Sequence, residues 1–444
     1  MAHPIHHLSR RNLLKSMLAA GAAPWVIPGG LLGAGAQTRP SNKTTLGVIG
    51  LGDRGSSDMQ DFLKCDDVRV TAICDVNKRR LDGARKTIAK RYGSNDVKVY
   101  SDFRELNADP AIDAVLMALP VHWHCIPSTD AILHGKHIYH EKPMGMSFHE
   151  AAVVRAAVKK TGVVFQFGTQ QRSDMKFRWA CELALNGRLG HIQEIGVSAP
   201  GGHTSPVYPE QPTPEYLDWE RWVGPAPMTP FNEEKLKRNN HENMSNFSLG
   251  NIACWGIHHL DIAQWGNGAD GIGPTSVTGS AEFPTAGSCD NVLKWNVKFE
   301  YETAAPINFV SDGTPGLQHG ITFRGESATV HVARGTISAP EENQDKLLKD
   351  PANKVGEMPI KLPVSGSHVR EFLDAIKSSR RAICDIDTAV HSDTLCQLAF
   401  IAVKLGRKLK WDPKTEQFLG DDAANAMLQG RSFRGEWKLP QISA

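Results

Sequence analysis

Beyond residue 40 the sequence has no apolar run near the ~20 residues that span a bilayer. It has no Lys/Arg block either, and 50 basic against 48 acidic side chains leave a formal charge of +2. No global field therefore draws it to nucleic acid or anionic lipid. Cysteine is scarce, 8 in 444 residues (Cys65, Cys74, Cys125, Cys181, Cys254, Cys289, Cys384 and Cys396), without a C-x-x-C pair or metal spacing. That removes a disulfide framework and a zinc site. A composition 41% hydrophobic and 22% charged excludes disordered and collagen-like classes, and the length allows two domains. The expected partner is a small molecule.

What is there begins with Ser9-Arg10-Arg11-Asn12-Leu13-Leu14-Lys15, ahead of a weakly apolar stretch from Met17 to Leu32 and a small-x-small site at Ala34-Gly35-Ala36. This resembles a twin-arginine export signal. Residues 1–36 are expected to be that signal and 37–44 a linker or arm, so the mature protein is expected in the periplasm. No cysteine follows the run, so a lipid anchor is not expected.

The stretch "TTLGVIGLGDRGSSDMQDFLK" reads as a strand, a glycine turn and a helix. Gly50-Leu51-Gly52-Asp53-Arg54-Gly55 is G-x-G-x-x-G, a pattern that permits a tight turn, close approach to a pyrophosphate and tight helix packing. A second apolar run, "VRVTAICD", ends at Asp75, where a carboxylate can accept the ribose hydroxyls of an adenosine. NAD is the expected cofactor, with NADP the alternative that Lys78, Arg79 and Arg80 keep open. Further strand and helix patterns, "VKVYSDFREL", "IDAVLMALP" and "HCIPSTDAILHGK", lead to "HIYHEKPMG", which places Glu141-Lys142-Pro143 at the end of a buried strand. In open parallel sheets ligands bind beyond the carboxyl ends of strands, so Leu119, Pro120, His122, His124, Glu141 and Lys142 converge on the nicotinamide side.

With these motifs in this order, the chain from Thr45 to the C-terminal "FRGEWKL" resembles the Gfo/Idh/MocA family (glucose-fructose oxidoreductase, inositol dehydrogenase, rhizopine catabolism). The resemblance implies an α/β protein: an N-terminal Rossmann domain with a doubly wound parallel sheet (45–165), and a C-terminal α+β domain (166–365) whose large, open, mainly antiparallel sheet carries the sugar site and a homo-oligomer interface. Residues 366–444 would be helices and a tail packing back on the core. By the same resemblance Lys142 lies near the substrate hydroxyl and the nicotinamide, and Glu141 holds the nicotinamide ribose.

In "VVFQFGTQQRSD", Gln170 and Arg172 are expected over the cofactor and substrate, and Trp219, in a Pro- and aromatic-rich insert, is a sugar platform or a loop anchor. "NIACWGIHHLDIAQWG" should hold the second catalytic group beside Trp255. The family pattern there is D-x-x-x-H on a helix; His258 matches the histidine, Cys254 stands where the aspartate belongs, and Asp261 is the nearest substitute. Adjacent His258 and His259 diverge by ~100° on a helix, and no metal is expected.

The reaction class follows: a hydride leaves a carbinol carbon only as its hydroxyl proton departs, which calls for the Lys142 cation beside the oxygen and a proton acceptor such as His258. Outside the cytoplasm no recycling pool of nicotinamide is expected. A tightly held cofactor that oxidises one sugar and reduces another satisfies that constraint, and so does an NAD-dependent glycosidase resembling alpha-N-acetylgalactosaminidases. In those glycosidases the EKP tripeptide is usually altered, whereas here it is intact, so the oxidoreductase leads. A non-catalytic sugar-binding protein is the third reading, favoured only by Cys254.

Overall fold

The computed structural model describes residues 43–442; the stretch expected to be an export signal and most of the expected arm lie outside them. Six short strands form the first sheet: β1 (Thr44–Ile49), β2 (Val68–Cys74), β3 (Lys98–Tyr100), β4 (Ala114–Met117), β5 (His137–His140) and β6 (Phe165–Phe167). All pair in parallel, in the order β3-β2-β1-β4-β5-β6. Their runs are apolar because helices cover both faces, as parallel sheets require. The helix Asp53–Leu63 buries Met59, Phe62 and Leu63, and the next, Lys78–Tyr92, starts at Asn77, whose side chain accepts from the amides of Arg79 and Arg80.

Register positions the site. Ile49 aligns with Cys74 and with Met117, and Met117 with His140. The residues one step further, Gly50, Asp75, Ala118 and Glu141, therefore emerge together at the carboxyl edge.

The second sheet has nine strands: β7 (Ile192–Ala199), β8 (Ser276–Glu282), β9 (Lys294–Glu300), β10 (Ile307–Ser311), β11 (Gly320–Gly325), β12 (Thr329–Ala333), β13 (Thr336–Ser338), β14 (Leu409–Asp412) and β15 (Gln417–Phe418). Their order is β13-β12-β11-β7-β10-β9-β8-β14-β15, and among these pairs β7 and β10 are parallel and the others antiparallel. The alternation in "KWNVKFE" buries Trp295, Val297 and Phe299 on one face.

Two boundaries differ from expectation. β6 belongs to the first sheet, so a division after residue 165 cuts a strand. β14 and β15 extend the second sheet past residue 365, because Leu409 and Trp411 bury their side chains there. Of the C-terminal helices, His368–Ser378 packs on the first domain, with Phe372 edge-on to Phe62 at 6.1 Å. The long helix Ile386–Leu405 instead lies between β8 and the helices Phe148–Thr161 and Gly256–Gly266, buried on most sides.

The insert after β7 does not stand apart. Leu217 bridges to Asn77, the amide of Lys78 donates to the Tyr216 carbonyl at 2.8 Å, and that of Asp218 to Val76 at 3.1 Å. The insert is thereby tied to the end of β2, over the carboxyl edge.

Candidate active site

Steric necessity shapes the glycine turn. Gly50 has φ +90°, and a Cβ there would lie 2.2 Å from the Ala118 carbonyl oxygen; one on Gly55 would lie 2.0 Å from that of Gly50. Gly52 is different, because the nearest atom to its missing Cβ is Arg80 Nη1 at 3.4 Å. Gly52 also begins the helix Asp53–Leu63 without a side-chain cap. The free amides of that helix end open on the cleft, which is how a helix N-terminus receives a pyrophosphate. Asp75 lies beside it, Oδ2 accepting from the Leu51 amide at 2.7 Å and Oδ1 from Asn77 at 2.9 Å. Burial raises its pKa while Arg80 and these amides oppose the rise. Each oxygen keeps a lone pair for a ribose hydroxyl. The cradle fits a dinucleotide.

The cleft is an open one, spanning about 1170 Å³ when the solvent space at its opening is included. Leu119, Pro120 and His124 line its floor, and Arg221, Trp222, Leu236, Arg238 and Glu242 of the insert close over it, with Trp437 from the C-terminal segment. Trp437 packs edge-on against Trp123 at 4.7 Å, beneath Arg104. The adenosine end is therefore roofed by residues far away in sequence.

At the other end sits the tripeptide, with a cis bond between Lys142 and Pro143. Glu141 is buried, and its Oε1 accepts from Arg54 Nε at 3.0 Å. Burial pushes its pKa up, but Arg54 and Lys142 outweigh that and hold it below the usual value. The neighbouring Asp58 is pushed up to about 9 by burial and by the Glu141 charge, so the two carboxyls carry one negative charge at neutral pH. Gln170 accepts from Arg54 and completes this group. Lys142 is also buried; its Nζ donates to the Cys254 carbonyl at 2.7 Å and lies 4.0 Å from Glu242 Oε1.

Glu242 is the carboxylate that sequence reading missed. Its Oε1 also accepts from Arg238 Nε at 2.8 Å, and although burial raises its pKa, Lys142 and Arg238 hold it below the usual range. Cys254 cannot play that part. Its thiol, bonded to Ser248 Oγ at 3.1 Å, is pushed up to about 12 by burial and by Glu242. An i,i+4 Arg–Glu pair in a polar stretch reads as a solvated helix face, so nothing local announced Glu242.

His258 lies where expected on its segment, although the helix is interrupted at Trp255 between Asn251–Cys254 and Gly256–Gly266. It is buried, its Nδ1 has no protein partner, and burial together with Lys142 and Arg334 holds it neutral well below 6.5. The neutral imidazole keeps a free ring nitrogen, and Glu242, beside Lys142, is a second candidate proton acceptor.

Five expected site residues are held by other partners. Arg172 and Asp261 form a buried ion pair at 2.8 Å, extended to Asp270 at 2.7 Å and to Ser392. Asp261 is consumed by that pairing and does not orient His258. Trp219 stacks on Trp222 at 4.7 Å and donates to the Thr229 carbonyl at 2.8 Å, which makes it an anchor of the insert rather than a sugar platform. His122 bonds the Trp222 carbonyl at 3.1 Å within the same aromatic cluster. His124 joins the carbonyls of Leu119 (2.7 Å) and Pro143 (2.6 Å), holding the cleft floor to the tripeptide. Trp255 is half-buried beside His258 and beneath Arg334.

Comparison with known proteins agrees with this geometry. Residues 44–169 match the model of an oxidoreductase family, NAD-binding Rossmann fold, and residues 201–439 that of its C-terminal alpha/beta domain. Myo-inositol 2-dehydrogenase of Thermotoga maritima is 28% identical over 179 residues, 40% of this chain and 49% of that protein. Alpha-N-acetylgalactosaminidase of Shewanella oneidensis is 30% identical over 182 residues, 35% of this chain and 38% of that protein. The chain thus spans about half, or less, of the curated relatives it matches. Scyllo-inositol dehydrogenase from Lactobacillus casei, solved with NAD(H) and scyllo-inositol, superposes with a TM-score of 0.58 at 17% identity, over 83% of this chain and 99% of that one.

Proposed function

Because the chain belongs to the Gfo/Idh/MocA oxidoreductase family, we propose that it moves a hydride between NAD and a hydroxyl-bearing carbon of a sugar or polyol, outside the cytoplasm and without releasing the cofactor between turnovers. The observation that carries this reading is the buried Lys142 ammonium, held by the Cys254 carbonyl and Glu242 at the end of the same cleft as the glycine turn. NAD, when bound, supplies the hydride acceptor or donor. The glycine turn and Asp75 would hold its adenosine half, and Glu141 with Arg54 its nicotinamide half.

Everything else falls to the chain's own side chains. As a carbinol hydroxyl gives up its proton, Lys142 places a fixed positive charge against the oxygen that becomes negative. The proton passes toward Glu242, which is ionised at neutral pH and adjacent to Lys142. In the reverse direction the same pair returns the proton. His258, neutral, orients the oxygen by a hydrogen bond without competing for charge. A roof of Trp222, Leu236 and Trp437 over the cleft supports retention of the cofactor. Most of the arm expected at residues 37–44 lies outside the described residues.

Likeness to the Shewanella oneidensis glycosidase supports a second reading, in which transient oxidation assists cleavage of a glycoside. The intact Glu141-Lys142-Pro143 favours the first, and Glu242 beside Lys142 argues against a non-catalytic sugar binder. Single-turnover absorbance at 340 nm tests the choice. The wild type should show nicotinamide reduction by a sugar or polyol, and Lys142→Ala should lose at least ~100-fold in that rate while retaining nucleotide, as expected for loss of an electrostatic stabiliser. Release of an aryl leaving group from a glycoside, with no net reduction, would establish the second reading instead.

A further inference from the structure

Arg334 follows directly on β12 and projects its guanidinium over the indole of Trp255, with Cζ 4.6 Å from the ring centroid. With its amide oriented to satisfy both ends, Gln171 accepts from Arg334 Nε at 3.2 Å and donates to the His258 carbonyl at 2.7 Å. One end of Arg334 is thereby fixed beside the catalytic segment, while the residue as a whole is exposed and within electrostatic reach of Arg54, Arg238 and Glu141. Among the described residues no carboxylate pairs with it. Two neighbouring arginines are matched, Arg54 by Glu141 and Arg238 by Glu242.

The local charge does not balance. Arg54, Arg238, Arg334 and Lys142 are cationic, Glu141 and Glu242 anionic, and Asp58, pushed up to about 9, carries its proton at neutral pH. Burial and the repulsion of Arg54 and Arg238 lower the pKa of Arg334, so an anion beside it would relieve a strain already present. The pyrophosphate of the dinucleotide does not answer this need. Its cradle is the helix end at Gly52, whereas Arg334 stands with Trp255 and His258 on the second domain.

We propose that the small molecule this site takes carries a carboxylate or phosphate on its sugar or polyol, and that Arg334 receives that anion at the mouth of the cleft. The inference rests on the functional reading above for the sugar part only. A guanidinium is suited to the task because its planar pair of N–H donors matches the two oxygens of a carboxylate or phosphate. With one end held on Trp255 and Gln171, Arg334 would fix the distance between the anion and Lys142. That distance would decide which hydroxyl is presented for oxidation.

The test uses dialysed protein with its retained nucleotide. Calorimetric titration compares D-glucuronate, D-galacturonate, D-gluconate and D-glucose 6-phosphate with neutral D-glucose and D-galactose. At least one anionic compound should bind ~10-fold or more tightly than its neutral counterpart, and whether it is an acid or the phosphate identifies the source of the charge. Arg334→Gln should abolish that preference, leaving neutral-sugar affinity and nucleotide content unchanged, and Arg334→Lys should restore part of it. If no anionic compound is preferred, or if Arg334→Gln weakens neutral and anionic sugars alike, the proposal is overturned. Binding that depends on Arg334 but never changes the absorbance at 340 nm would sustain the anion site and sink the hydride-transfer reading.

Discussion

Replacing Glu242 by Gln keeps the shape of the side chain and removes its charge. At 4.0 Å from Lys142 Nζ, a unit charge interacts by about 4 kcal/mol at an effective dielectric near ~20. Arg238 shares the carboxylate, and Glu242 is 13% exposed, so about 2–3 kcal/mol is the reasonable share. By the ~1.4 kcal/mol that corresponds to a factor of ten, Glu242→Gln should slow hydride transfer by roughly 100-fold. The pH profile adds a signature. Glu242 titrates below the usual carboxylate range, and its ionised form is the proton acceptor, so the wild-type rate should fall as pH drops through that low pKa and stay level above it. Glu242→Gln should lose this acidic limb. Stopped-flow reduction of the bound nicotinamide, followed at 340 nm from pH 3.5 to 8, measures both. If Glu242→Gln keeps more than about a tenth of the rate and an unchanged acidic limb, the proton passes elsewhere and the reasoning fails.

Two further outcomes concern the cofactor. Asp75→Ala should weaken NADH by about 10-fold or more and NADPH by less, because the ribose acceptor is lost while Arg80 stays beside Gly52; fluorescence titration showing equal losses would restrict Asp75 to holding the turn through the Leu51 amide. Trp437→Ala removes the ring packed on Trp123 and Phe103 at the adenosine end, so nucleotide should leave about 10-fold faster in a chase with excess NAD, and an unchanged off-rate would show that the roof does not hold it.

The first half of the site was legible because its chemistry is local in sequence. A glycine turn, a strand-terminal acid and a tripeptide after a buried strand each sit within a few residues, and strand register brings Gly50, Asp75 and Glu141 to one edge. The rest was assembled across distance. Glu242 meets Lys142 and Trp437 meets Trp123 because the insert and the C-terminal segment fold over the cleft, and Arg334 meets Trp255 because the end of β12 lies beside the helical segment. Arg172 and Asp261 misled for the same reason: position suggested the substrate, but burial required each to find an opposite charge, and they found each other. Alternation in the second sheet, as in "KWNVKFE", is readable by period. β10 escaped because its short buried run lacks that alternation, and β14 because it alternates over only 4 residues.

The central claim is that a retained NAD takes and returns a hydride at Lys142. The most direct test is the absorbance spectrum of protein purified and dialysed without added nucleotide, taken before and after addition of a sugar or polyol substrate and then of a carbonyl acceptor. The account predicts nearly one nicotinamide per chain at the outset, a rise at 340 nm with the first compound and its disappearance with the second. Protein that emerges empty, and that oxidises sugar only while NAD is supplied in solution, would contradict it.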